Sequence, residues 1–158
     1  MERLSVYVET TIPSALYSVR SDPFSLAAQE STRVWWEHRR EDFDLCTSEA
    51  VEQELRRGSF PKQPEMLEWL VAMPKLELTP TVEGLARLYA NERLVPRLEV
   101  SLDAVHLAAA CFYGCDILLI LNIRHLANPN KVDHLAAINF RTGMSTPRIL
   151  TPEFFSEP

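Results

Sequence analysis

The apolar residues of this chain fall into two kinds of block. Short runs rich in β-branched and aromatic residues, bounded by polar positions, predict buried strands at Leu4–Val8 (LSVYV), Phe43–Cys46, Lys75–Thr79, Ile117–Leu121 (ILLIL) and Arg148–Leu150. The plainest of these is Ile117–Leu121, an unbroken apolar run between Asp116 and Asn122, as expected of a strand covered on both faces. Between the runs the apolar spacing turns helical, at Phe24–Arg40, Glu49–Arg57, Gln63–Met73, Thr81–Leu94, Leu102–Tyr113 and Lys131–Thr142. Pro13 opens a turn or short helix, Thr47-Ser48 and Ser101 cap the helices that follow them, and Gly58, Gly114 and Gly143 stand where helices close in a left-handed residue. Leu102–Tyr113 is apolar nearly all round and must be buried on most sides.

Strands and helices that alternate at these intervals predict βαβ units. The expected architecture is a three-layer α/β/α sandwich around a mainly parallel sheet of about five strands. No repeat, low-complexity tract or linker interrupts residues 1–158, so a single domain is expected. Sites in open parallel sheets lie beyond the carboxyl ends of the strands. That rule selects Glu9, the Thr47-Ser48 turn, Thr79 and Asn122.

Composition removes several classes of function. The four glycines are scattered, so no phosphate-cradling loop can be written, and HExxH, GxSxG and EF-hand patterns are absent. Three cysteines without a CxxC suggest neither a disulfide framework nor a structural zinc, and Cys111 and Cys115 read as reduced core residues. Sixteen Lys and Arg against 22 Asp and Glu leave a net charge of -6, so a polyanion would need local positive charge rather than a uniformly basic surface. No apolar stretch reaches the ~20 residues that span a bilayer, and MERLSVYVETT lacks a signal-peptide layout; a cytoplasmic protein with no membrane partner is expected. Trp35 and Trp36 read as core or subunit-contact residues rather than base-stacking platforms, which makes a homodimer a further expectation.

The acidic residues carry the candidate chemistry. On the helix Glu49–Arg57, Val51 and Leu55 mark the buried stripe; at about 100° per residue Glu49, Gln53 and Arg56 point away from it, while Glu54 lies beside it. Glu52 and Arg56 make an ordinary exposed pair. A carboxylate pressed toward the core needs a partner, a proton or a metal. Asp103 shares a helix face with His106; taken alone it complements the helix dipole, and His106 hydrogen-bonds within the core. If the strand ends converge, however, Glu9, Glu54 and Asp103 meet with Asn122 beside them, and three such carboxylates repel unless a cation sits between them. Hard oxygen ligands without a Cys or His cluster select Mg²⁺ or Mn²⁺, ions that bridge to phosphate oxygens.

The string VYVETTIPSALY resembles the first strand and turn of PIN-domain nucleases, SEAVEQELRRGS their second acidic motif, and DAVHLAAACFYGCDILLILNIRHLAN their third and fourth. The likeness extends through RILTPEFF and is to bacterial VapC-like PIN proteins of a branch with Glu in place of the usual first Asp. It implies a three-layer α/β/α fold, metal-dependent ribonuclease chemistry on single-stranded or structured RNA and, for many bacterial members, a toxin role with an antitoxin partner. Glu9, Glu54 and Asp103 match the first three acidic positions, and Asn122 falls where a fourth acid often lies. Thr10, Ser48, Arg124 and His125 are weaker candidates for substrate contact, and Asp116, at the start of its strand, is a weaker and more structural one. The family commonly carries a Thr just before the position of Asn122; Ile120 and Leu121 stand there instead, and Asn122 brings no charge. A PIN-like binding module with weakened or lost nuclease activity is therefore the rival reading. A phosphoacceptor receiver domain fails on residue type, because no predicted central strand ends in Asp.

Overall fold

The structure is a computed structural model that describes residues 2–94, 102–121 and 129–155. One parallel five-stranded sheet, in the order β3-β2-β1-β4-β5, gathers β1 (Leu4–Val8), β2 (Phe43–Ser48), β3 (Lys75–Leu76), β4 (Ile117–Leu119) and β5 (Arg148–Leu150). Helices α1 (Thr11–Leu16), α2 (Pro23–Arg39), α3 (Glu49–Arg57), α4 (Gln63–Val71), α5 (Pro80–Asn91), α6 (Leu102–Phe112) and α7 (Pro129–Thr142) flank it, completing the three-layer sandwich expected from the alternating pattern. The helices pack in pairs, α1 on α2, α3 on α4 and α5 on α6. Among the described residues no helix is long and apolar enough to cross a membrane.

The central strand explains the register. Val6, Tyr7 and Val8 are fully buried, with Leu4–Tyr7 paired to Phe43–Cys46 on one side and Val6–Val8 paired to Ile117–Leu119 on the other. Asp116 fastens the opposite, amino end of this sheet. Its Oδ2 accepts from the Ser5 N–H at 2.8 Å and from the Ser5 hydroxyl at 3.1 Å, and its own N–H reaches Ser5 Oγ at 3.0 Å. The weaker, structural alternative for Asp116 is thus the role its contacts display.

Several elements differ from their predicted extents for local reasons. β3 is only Lys75–Leu76, because the chain leaves the sheet to place Thr79, whose hydroxyl accepts from the Val82 N–H at 3.3 Å, at the start of α5. β4 stops at Leu119, although the Ile120 N–H still reaches the Leu150 carbonyl at 3.0 Å. β2 runs two residues past Cys46 to Ser48, as the Thr47 N–H finds the Pro74 carbonyl at 3.0 Å. Gly114 and Gly143 close their helices at φ +68° and +75°, as expected. Gly58 does not; it is extended (φ −73°, ψ 160°), and its lack of a side chain serves another purpose, since a Cβ there would lie 2.1 Å from Cε2 of Phe60. Trp35 is core, 1% exposed, and Trp36 stacks between Trp69, at 5.0 Å, and the Arg40 guanidinium, at 4.7 Å. The cysteines are free, with Cys111 and Cys115 buried.

Candidate active site at the carboxyl end of the sheet

Glu9 follows the last residue of β1, so the central strand delivers its carboxylate to the carboxyl edge of the sheet, where it is 4% exposed. The next turn holds it. Glu9 Oε2 accepts from the Thr11 N–H at 3.0 Å and from the Thr11 hydroxyl, while Thr11 Oγ1 accepts in turn from the Leu121 N–H at 3.0 Å. Thr11 therefore ties the end of β1 to the chain just after β4. Burial holds the Glu9 carboxyl above its ordinary range; His106 and the Thr11 hydrogen bonds pull it back, and the Glu54 carboxylate pushes it up. No Lys or Arg among the described residues forms an ion pair with it.

Glu54 arrives from α3. The helical argument places it correctly: Val51 and Leu55 are fully buried, Glu49, Gln53 and Arg56 are exposed, and the Glu54 side chain is 22% exposed beside the stripe. Glu52 and Arg56 form the expected pair at 3.0 Å. Ser48 starts α3, its hydroxyl accepting from the Ala50 N–H at 3.2 Å.

A buried chain of hydrogen bonds connects this cap to Glu54. Ser48 Oγ is 2.6 Å from the Tyr7 hydroxyl, which is 2.7 Å from His106 Nδ1, and His106 Nε2 is 2.5 Å from Glu54 Oε1. The polarity follows from the ends. A carboxylate only accepts, so His106 Nε2 donates to Glu54, and the Tyr7 hydroxyl bridges Ser48 Oγ and the other ring nitrogen, Nδ1. Burial raises the Tyr7 hydroxyl far above its ordinary range, so it stays protonated and able to donate. Thr10 also approaches the ring, 3.5 Å from Nε2. Ser48 is fully buried and occupied at both ends of its hydroxyl, so in this structure it holds α3 rather than facing outward.

The expected acids come together in part. Glu54 is close enough to push up the Glu9 carboxyl, and His106, bonded to Glu54, pulls it down, whereas Asp103, in the first turn of α6, is exposed. Among the described residues, no three His, Cys, Asp or Glu side chains stand close enough to hold an ion. Asn122, Arg124 and His125 lie outside the described residues. Tyr7 and Thr11 were not legible as site residues: a Tyr inside an apolar strand reads as core, and Thr11 acts through bonds to chain remote in sequence. His106 carried one signal, its position one turn from Asp103 on a shared face.

No protein-family model matches the chain, and no curated protein matches it in sequence. Solved structures do match. VapBC2 from Rickettsia felis, crystallised bound to a DNA fragment from their promoter, contains a chain that superposes with a TM-score of 0.58 at 12% identity, covering 94% of this chain and 98% of that one. At that identity the likeness is one of fold, and the fold of this chain is PIN-like.

Proposed function

We propose that this chain is a divalent-metal-dependent ribonuclease that hydrolyses RNA phosphodiesters, acting as the toxin of a pair with a protein antitoxin. The observation that carries the reading is the meeting of Glu9 and Glu54, from separate elements, at the carboxyl end of the central strand of a PIN-like fold. A carboxylate that is 4% exposed and has no Lys or Arg ion pair among the described residues takes a proton, which its raised pKa favours, or a cation from outside the chain. The donors are hard oxygens, which fit Mg²⁺ or Mn²⁺. Glu9, Glu54 and Asp103 would hold the ion, the exposed Asp103 side chain turning in to complete the set, with Asn122 as an uncharged fourth ligand or water-orienting group. Such an ion, when bound, lowers the pKa of a water and stabilises charge building on phosphate oxygens.

The chain's own groups prepare this site. The Tyr7–His106 bond sets the ring so that Nε2–H faces Glu54 Oε1, leaving the other carboxylate oxygen for a ligand. Thr11 does the same for Glu9 through its two bonds to Oε2. Thr10 beside the ring, with Arg124 and His125 beyond β4, would contact the RNA backbone. The antitoxin partner rests on the resemblance to VapC-like proteins together with the shared fold of a VapBC2 chain.

Cleavage of single-stranded RNA with Mn²⁺ tests the reading. The wild-type chain is expected to cut, and Glu54→Gln and Asp103→Asn are each expected to lower the rate by at least about a hundredfold. A wild-type signal that survives both substitutions refutes the assignment. The absence of a closed three-acid set among the described residues favours the second reading, a binding module on the same scaffold. Thermal melts separate the two: a ligand cluster gains about 2.7 kcal/mol at a hundredfold excess of Mn²⁺ over its dissociation constant, and a module without one gains nothing.

A further inference from the structure

A cleft of about 960 Å³ opens beside the acidic site, walled by α1, the start of α2 and the turn between α3 and α4. Its chemistry runs against that of the molecule. The chain has 22 acidic residues to 16 basic ones, yet the described residues lining the cleft include two cations, Arg20 and Lys62, and no carboxylate. Both cations are exposed; the acid nearest Arg20 in sequence, Asp22, has its carboxylate on the Ser25 N–H at 3.0 Å and also feels the Arg20 charge, which with that bond holds its carboxyl below the ordinary range. Glu65 and Glu68 of α4 are near enough to raise the Tyr17 hydroxyl but do not line the cleft.

The aromatic content is equally particular. Phe24, at the start of α2, is 82% exposed, an apolar ring that packing within the chain does not account for. Phe60 also lines the cleft, half-buried against the core, and lies so close over Gly58 that any Cβ there would meet its ring. Serine hydroxyls line the space between. Thr11, the residue that donates two hydrogen bonds to Glu9, is part of its lining, so the cleft adjoins the acidic site through that side chain.

Cations, one exposed and one half-buried ring, and hydroxyls in one cleft match a strand whose bases are unpaired: phosphates take the charges, base faces take the rings, and ribose takes the hydroxyls. We infer that this cleft is a track for single-stranded RNA, with Arg20 and Lys62 on phosphates and Phe24 and Phe60 against bases, feeding the strand toward Glu9. The inference rests on the ribonuclease reading for its direction but not for its test. A duplex, whose bases are already stacked, would gain nothing from the two rings.

The experiment is fluorescence anisotropy of a labelled single-stranded oligouridylate of about 12 nucleotides, in EDTA so that nothing is cut, across a series of salt concentrations. The wild-type chain is expected to bind. The double variant Arg20→Ser, Lys62→Ser is expected to flatten the log–log salt slope by about 1.4, two phosphate contacts at about 0.7 each. Phe24→Ala is expected to weaken binding by about tenfold with little change in slope. Gly58→Ala, which displaces Phe60 without removing it, is expected to weaken binding as well, and Phe140→Ala, an exposed ring on α7 outside the cleft, to change nothing. The altered cleft side chains Arg20, Lys62 and Phe24 are exposed, so the fold is not at stake in those variants.

Affinity and slope unchanged in all the cleft variants would overturn the inference and leave the cleft to a protein segment. Equal affinity for duplex RNA would overturn it too, as would a wild-type chain that binds no oligonucleotide at any salt. Cleavage with Mn²⁺ alongside unaffected cleft variants removes the track and keeps the ribonuclease. Variant-sensitive binding without any cleavage keeps the track and removes the ribonuclease.

Discussion

Tyr7 shows how one side chain serves both core and site. It is fully buried in the central strand, and its hydroxyl is the link between the α3 cap and the His106 ring. Tyr7→Phe keeps the packing but strands His106 Nδ1 without its buried partner and leaves Ser48 Oγ only its bond from the Ala50 N–H, a loss expected to cost about 1–3 kcal/mol in urea unfolding. Cleavage should fall further than this stability loss explains, because the Tyr7 hydroxyl holds the far side of the ring whose Nε2 meets Glu54. The place of Glu54 beside the buried stripe of α3 was legible from helical spacing alone. That of Tyr7 was not, because alternation along a strand says that a residue is buried and not what its hydroxyl meets.

Among the elements, α3 and α5 offer the sharpest contrasts. Ser48 caps α3, so Ser48→Ala is expected to destabilise the fold by about 1 kcal/mol through the lost cap alone, and by more because the Tyr7 bond goes with it. In α5, Gly84 has nothing within 4 Å of where a Cβ would stand, so Gly84→Ala is expected to stabilise by about 0.5–1 kcal/mol and raise the melting temperature. Gly143→Ala should do the reverse, as its φ of +75° disfavours a side chain. Scanning calorimetry of the three variants checks all three signs. The types and order of these elements were readable from periodicity, since burial on one face or two dictates where apolar residues fall. Ends were less so: β3 shrank to Lys75–Leu76, as the chain turns away to start α5, and β4 to Ile117–Leu119, although Ile120 still bonds to Leu150.

For the molecule as a whole, the buried Glu9 couples stability to pH. Its folded pKa is raised above the ordinary 4.5, so the folded chain holds this proton more tightly than the unfolded one. Metal-free protein should therefore carry the full contribution below about pH 4.5 and lose it as pH rises through the folded value. Urea midpoints of Glu9→Gln should lack that decline, and saturating Mn²⁺ should offset it in the wild type; parallel pH profiles for the wild type and Glu9→Gln would contradict the burial argument.

The hydrophobic pattern was enough to establish a parallel α/β sandwich and to single out Glu9 and Glu54, because periodicity and strand ends are properties of the local chain. Everything that depends on distances between remote segments came from the folded structure. The Ser48–Tyr7–His106–Glu54 chain joins β1, α3 and α6, and the basic cleft joins α1, α2 and the turn after α3. Hydrogen bonds and charge contacts act over a few ångströms, whereas these residues stand tens of positions apart, so only the packing of helices on the sheet could decide that they meet, and that Asp103 is exposed and does not close a three-acid set with the pair it was expected to join.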